Sequence, residues 1–216
     1  MVRNRNRKPN RLKGYDYSRG GAYFITICVC NRECLLGQII NGKMILSDIG
    51  QIANECWVQI PYHFSGVELG EYVIMPNHIH GIIIINQITE NKTDCESRKY
   101  PVGNAYMRSL RDVDNNHNNR CDNRNNNPEI PEIDRTKMLI PKIIQQYKAA
   151  VSRHLNHQPK FRWQKSYYDH IIRDQISFER INRYIVNNPI KWTEDIENNF
   201  LYNDATNNEY YNHLFS

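Results

Sequence analysis

The stretch VELGEYVIMPNHIHGIIII, Val67–Ile85, decides how this chain folds. Val67 to Met75 is rich in β-branched and aromatic residues and reads as a strand. Pro76-Asn77 reads as a turn. His78 to Ile85 is a further strand, so dominated by isoleucine that both of its faces are expected to be covered. Upstream, Ala22 to Cys30 is another such run, bounded by Gly20-Gly21. Between these strands, Ser47 to Ile60 carries apolar residues at 49, 52, 53, 56 and 60, a helical period. Ser47 or Asp48 is its N-cap and Pro61 its stop.

Downstream, Lys137 to Leu155 places Ile140, Ile143, Ile144, Tyr147, Val151 and Leu155 on one helical stripe. Phe161 to Ile172 reads as a strand region. Ser177 opens a last helix that runs to about Asn187, with Ile176 and Ile181 at the spacing of a hydrophobic staple. Asn188 precedes Pro189, which disfavours helical geometry there and ends the helix. The order is strand, helix, strand, strand, helix, strand, helix. Its first six elements make the split βαβ pattern. The predicted class is therefore α+β, a ferredoxin-like sheet with an added C-terminal helix.

The chain has 216 residues, 40% hydrophobic and 24% charged, enough for one ordinary domain with a core. Residues 104–127 hold nine asparagines and few apolar side chains, too few to offset the entropy of ordering. About residues 88–136 are read as a long disordered insertion, protease-sensitive over residues 104–127. The domain then runs over residues 14–200, between a basic arm at 1–13 and a loose tail at 201–216. In that tail Tyr210, Tyr211, Leu214 and Phe215 are able to dock.

Four residues, as in Ile82–Ile85, is the longest unbroken apolar run, far short of the roughly 20 that span a bilayer. With no apolar leader after Met-Val-Arg-Asn-Arg, a cytoplasmic protein without membrane contact is expected. In a reducing compartment its six cysteines do not imply disulfides. Cys28, Cys30 and Cys34 lack a matching downstream pair or a nearby histidine, so they read as small hydrophobes rather than zinc ligands. Net charge is +5, and the arm carries Arg3, Arg5, Arg7, Lys8, Arg11 and Lys13 with no acid. Such an arm suits a polyanion, because each neutralised phosphate releases a counterion.

Two short motifs carry chemistry. In His78-Ile79-His80 the imidazoles lie at i and i+2 of a strand and share a face, a common start for a divalent metal site. The plain alternative is a pair exposed at a strand end. Gly81 leaves room for something to approach the backbone. In Tyr184-Ile185-Val186-Asn187-Asn188-Pro189 the phenol and the amide of Tyr184 and Asn188 stand four apart on one helical face. A tyrosine hydroxyl can be a covalent nucleophile, and an amide oxygen suits Mg²⁺ or Mn²⁺. On an amphipathic helix a tyrosine is more often core or rim. His170 is weighed as a proton shuttle, against the commoner part of an interior hydrogen-bonding group, and is not counted in the site.

In this order the motifs resemble the single-tyrosine HUH transposases, most closely their REP-associated tyrosine transposase-like branch. The resemblance runs from about Arg11 to Trp192, apart from the insertion. It rests also on Gly21-Ala22-Tyr23-Phe24-Ile25-Thr26, on Trp163-Gln164-Lys165-Ser166-Tyr167-Tyr168-Asp169-His170-Ile171-Ile172-Arg173 and on Tyr184-Ile185-Val186-Asn187-Asn188-Pro189-Ile190-Lys191-Trp192. The resemblance implies that His78, His80 and Asn188 bind Mg²⁺ or Mn²⁺. It implies that Tyr184 attacks single-stranded DNA, leaving a 5′-phosphotyrosine and a free 3′-hydroxyl for strand transfer in transposition. Some relatives have Gln in place of Asn188. The DNA partner is single-stranded or hairpin DNA, with Tyr23, Trp163, Tyr167 and Tyr168 as candidate stacking surfaces, at least half of them core instead. Relatives occur as monomers and as dimers, so a homodimer is among the assemblies allowed. Two other readings are weighed: an inactive hairpin-DNA-binding module derived from a transposase, and an unrelated metallo-phosphoesterase. The latter calls for further spaced acidic or histidine ligands, which the sequence does not show as motifs.

Overall fold

The computed structural model describes residues 20–86, 138–156, 160–198 and 210–211. The expected basic arm, the Asn-rich insertion and all of the tail except Tyr210 and Tyr211 lie outside the described residues. Strand β1 is Gly21–Cys28. A hairpin, β2 (Gly37–Ile40) and β3 (Lys43–Leu46), follows it, then helix α1 (Asp48–Val58) and a short helical turn α2 (Ile60–His63). Strands β4 (Val67–Ile74) and β5 (His78–Ile85) lead to helix α3 (Leu139–His154), β6 (Tyr168–Ile172) and helix α4 (Gln175–Asn187).

The main sheet has the order β4-β5-β1-β6, with every neighbouring pair antiparallel. Setting the hairpin aside, this is the ferredoxin-like split βαβ arrangement read from the sequence. The two-residue period divides its side chains between two cores. Tyr23, Ile25, Ile27, Ile79, Ile83 and Ile85 pack against α1 and α3, joining Ala53, Trp57, Ile140, Ile144 and Tyr147. Ala22, Phe24, Ile82 and Ile84 face the other way and meet Ile181 and Ile185 of α4. All eight residues of β5 are buried, as its isoleucine run predicts. The added helix thus covers the face that α1 and α3 leave open, and His78 and His80 lie on that face.

Gly81 does admit a close neighbour, but on the side away from the histidines. A Cβ there would stand 2.4 Å from Trp57 Cζ2, so the space serves helix packing.

Other local expectations change. The hairpin was legible in Ile40-Asn41-Gly42-Lys43, since Asn-Gly accommodates two left-handed residues; here φ is 51° at Asn41 and 71° at Gly42. Helix α1 is capped by Ser47, whose Oγ accepts from Gly50 N at 3.1 Å, and Pro61 sits within the following turn rather than ending α1. Only Tyr168–Ile172 of the expected strand over 161–172 joins the sheet, apart from a Val29–Trp163 bridge. Nearby, Lys148 Nζ donates to Gln164 O and Ser166 O at 2.8 Å each, satisfying carbonyls with a side chain rather than a ladder. Among the described residues no helix is long and apolar enough to cross a membrane.

Candidate active site

In the β1–β5 register His78 lies opposite Cys28 and His80 opposite Thr26. Both imidazoles are fully buried, so the pair is not an exposed strand end. Their Nε2 atoms face each other at 3.0 Å. The other ring nitrogens are engaged: His80 Nδ1 lies 2.9 Å from Thr26 Oγ1 and His78 Nδ1 2.7 Å from Asn77 Oδ1. Phe24 stacks on His80 with centroids 5.2 Å apart. Burial holds both imidazoles well below their usual pKa, His80 at about 3, and the Arg32 guanidinium reinforces this at each. Both are neutral at physiological pH, the form that ligates a metal.

Helix α4 begins three residues earlier than the sequence reading placed it. Asp174 is the N-cap, and its Oδ1 accepts from Ser177 N at 2.8 Å, so Ser177 belongs to the first turn. Ile176 is 69% exposed, so no staple forms with the buried Ile181. The helix turns Tyr184 onto the histidines: Tyr184 Oη lies 3.2 Å from His80 Nε2. Burial, then the nearby Asp195, push the phenol well above its ordinary pKa, so it rests protonated.

Asn188 keeps helical geometry (φ −58°, ψ −43°) although Pro189 follows. It is buried beside Tyr184 and Asp195, and its Oδ1 has no hydrogen-bond partner. Beyond Asn188 the chain turns, with Lys191 N donating to Asn187 O and Asn188 O, and doubles back through Trp192.

That return brings in Asp195, which the motifs did not single out. Its Oδ2 stands 3.8 Å from His78 Nε2 and 4.0 Å from His80 Nε2, without a hydrogen-bond partner. Burial raises its carboxyl to about 6, against the opposing pull of Asn188 and Arg32. His78, His80 and Asp195 form a group able to hold a metal ion, with ligand atoms all within 4.8 Å of one another. The ligand atoms stand 3.0, 3.8 and 4.0 Å apart, close enough for all three to face one ion. Two imidazoles with the buried, partnerless Asp195 Oδ2 form a donor set suited to a divalent cation.

Around this set lies a polar layer equally unread from the sequence. Glu197 pairs with Arg32, accepts from Tyr211 Oη at 3.0 Å, and its backbone N donates to Asp195 Oδ1 at 2.7 Å. Tyr211 is fully buried, its ring centroid 6.0 Å from that of His80, so this part of the tail does dock. Sequence spacing gives no signal for Arg32, Asp195 or Glu197, because two loops and a reversal of the chain bring them in.

Arg3, Arg5, Arg7, Lys8 and Arg11 lie outside the described residues. Of the aromatic candidates for DNA, Tyr23 is fully buried in the core. Trp163 and Tyr167 pack in part on the same core, and Tyr168 on the other. His170 lies opposite Phe24 in the sheet, outside the metal-competent group.

No family model matches the chain. A structure of a REP-associated tyrosine transposase bound to a REP hairpin aligns with a TM-score of 0.46 and 16% identity, over 81% of this chain and 69% of that one. A Haemophilus influenzae protein of uncharacterised function is 38% identical over 191 residues, 88% of this chain and 91% of that protein. The chain belongs to one family with that Haemophilus influenzae protein, and its own histidine and tyrosine-helix motifs resemble those of the single-tyrosine HUH transposases.

Proposed function

We propose that the protein is a divalent-metal-dependent endonuclease and strand transferase for single-stranded DNA, of the single-tyrosine HUH type and acting in DNA transposition. The observation that carries this reading is the approach of Tyr184 Oη to 3.2 Å from His80 Nε2, beside the paired imidazoles. A tyrosine hydroxyl 104 positions further along the chain thus stands against a metal-competent group, which supports its reading as the nucleophile.

His78, His80, Asp195 and Asn188 would hold Mg²⁺ or Mn²⁺, which supplies charge stabilisation at the scissile phosphate. Tyr184 Oη attacks phosphorus and gives up its proton as the new O–P bond forms. The P–O3′ bond breaks, its electron pair leaves with the 3′ oxygen, and that oxygen takes up a proton. The products are a 5′-phosphotyrosyl protein and a free 3′-hydroxyl. Attack by another 3′-hydroxyl reverses the step and joins strands without ATP. Phe24 and Tyr211 pack on both Tyr184 and His80 and limit rotation of the phenol.

The test is incubation with hairpin-bearing single-stranded DNA and Mn²⁺, followed by a denaturing gel. Wild type forms a covalent adduct. Tyr184→Phe, which removes one oxygen and keeps the ring, binds the hairpin and forms none. Tyr147→Phe, Tyr167→Phe and Tyr168→Phe retain it. An adduct that persists in Tyr184→Phe and disappears in one of those three places the chemistry on another element. Hairpin binding by wild type with no adduct under any metal supports the inactive binding module instead.

A further inference from the structure

We infer that Asn77 is the positioning residue of the metal site: it sets which nitrogen of His78 faces the metal and ties the Asp195 segment to the same point. The inference rests on the metal site proposed above. An asparagine amide has two distinguishable ends, and its neighbours decide their direction. Asn77 is fully buried. Its Nδ2 lies 3.0 Å from Glu197 O and 3.3 Å from Arg32 O, two carbonyls that can only accept. The NH₂ end must therefore face them, which leaves Oδ1 as the atom 2.7 Å from His78 Nδ1. An amide oxygen cannot donate, so the proton of the neutral imidazole resides on Nδ1. His78 Nε2 is then a bare lone pair directed at His80 Nε2 and Asp195 Oδ2.

His80 has no comparable lock. Its Nδ1 partner is the Thr26 hydroxyl, which can donate or accept. Without metal, His80 Nε2–H can donate to His78 Nε2. To ligate, His80 moves its proton to Nδ1 and donates to Thr26. One histidine is thus preset and the other adapts. The carbonyl ends of the Asn77 contacts tie in the remaining elements. Arg32 O belongs to the left-handed loop after β1 (φ 56° at both Asn31 and Arg32), and Glu197 O lies two residues beyond Asp195. A single amide therefore holds the ligand strand, the Arg32 loop and the Asp195 segment together.

The experiment uses the full chain and reads two quantities. One is the His78 tautomer in metal-free protein, from ¹⁵N imidazole NMR. The other is the Mn²⁺ dissociation constant from calorimetry. Wild type shows His78 with its proton on Nδ1. Asn77→Ala loses that single tautomer and binds Mn²⁺ about 10–100-fold more weakly, the range for loss of a group that orients a ligating histidine. Asn77→Asp keeps an acceptor for Nδ1–H but loses the donor to Glu197 O and Arg32 O, so it retains the tautomer, while its melting temperature falls and its Kd weakens less than that of Asn77→Ala. A folded Asn77→Ala with an unchanged tautomer and Kd overturns the inference. So does Asn77→Asp losing the tautomer, which also decides the matter should Asn77→Ala not fold. If wild type binds no Mn²⁺, the metal-site reading fails while the tautomer measurement still judges Asn77.

Discussion

Replacing Asp195 by Asn should stabilise the metal-free protein and abolish its response to metal. The carboxyl is raised from 3.8 to about 6, mainly by burial, and that value already includes the pull of Arg32 and Asn188. A shift of about two units corresponds to roughly 3 kcal/mol of disfavoured charge at neutral pH. Oδ2 also lacks a hydrogen-bond partner, so its charge is desolvated without compensation, a cost that the neutral amide does not carry. The amide must be desolvated too, so a gain of about 1–3 kcal/mol is expected, or roughly 2–10 °C in melting temperature for a protein of this size. The pH dependence has a definite sign. Because the folded pKa is the higher one, the unfolded chain ionises first. Wild-type stability from this group therefore falls as pH rises from about 3.8 to about 6, and the full cost stands above that window. Asp195→Asn lacks this component. Metal offsets the difference, since a hundredfold excess of Mn²⁺ over its Kd adds about 2.7 kcal/mol to wild type alone. The assay is thermal melting in EDTA at pH 4.5 and 7.5, and in Mn²⁺ at pH 7.5. A variant that melts below wild type in EDTA at pH 7.5, or that gains as much from Mn²⁺, refutes the reasoning.

Two further predictions concern the frame of the site. Gly81→Ala puts a Cβ 2.4 Å from Trp57 Cζ2, and that ring is held against Tyr147 and Tyr72. It should lower stability by about 1–3 kcal/mol in urea unfolding, and a neutral result would show that α1 can move off the sheet. Asp174→Ala should remove about 1 kcal/mol through loss of the α4 cap, while Ile176→Ala should leave the denaturation midpoint in place. A larger loss at Ile176 than at Asp174 would restore the staple.

Sequence pattern alone determined the split βαβ order, because period 2 in the strands and period 3.6 in α1 and α3 are local properties that packing then kept. It also singled out His78, His80, Tyr184 and Asn188, since i,i+2 on a strand and i,i+4 on a helix each put two groups on one face. The β2–β3 hairpin is legible in Asn41-Gly42, whose left-handed φ values suit a tight turn. Ser177 and Asp174 are both good caps by residue type, and only the backbone decides for Asp174. What the tertiary structure alone decided is the depth and charge of the site. Whether His78 is exposed or buried depends on α4 covering the second face of the sheet, a long-range event. Asp195, Arg32 and Glu197 carry no motif because the chain reaches them through a left-handed loop and a turn past Pro189. Burial made these groups matter, since in water the same carboxylate and imidazoles would not shift their pKa, nor would the carboxylate oxygen be left without a partner.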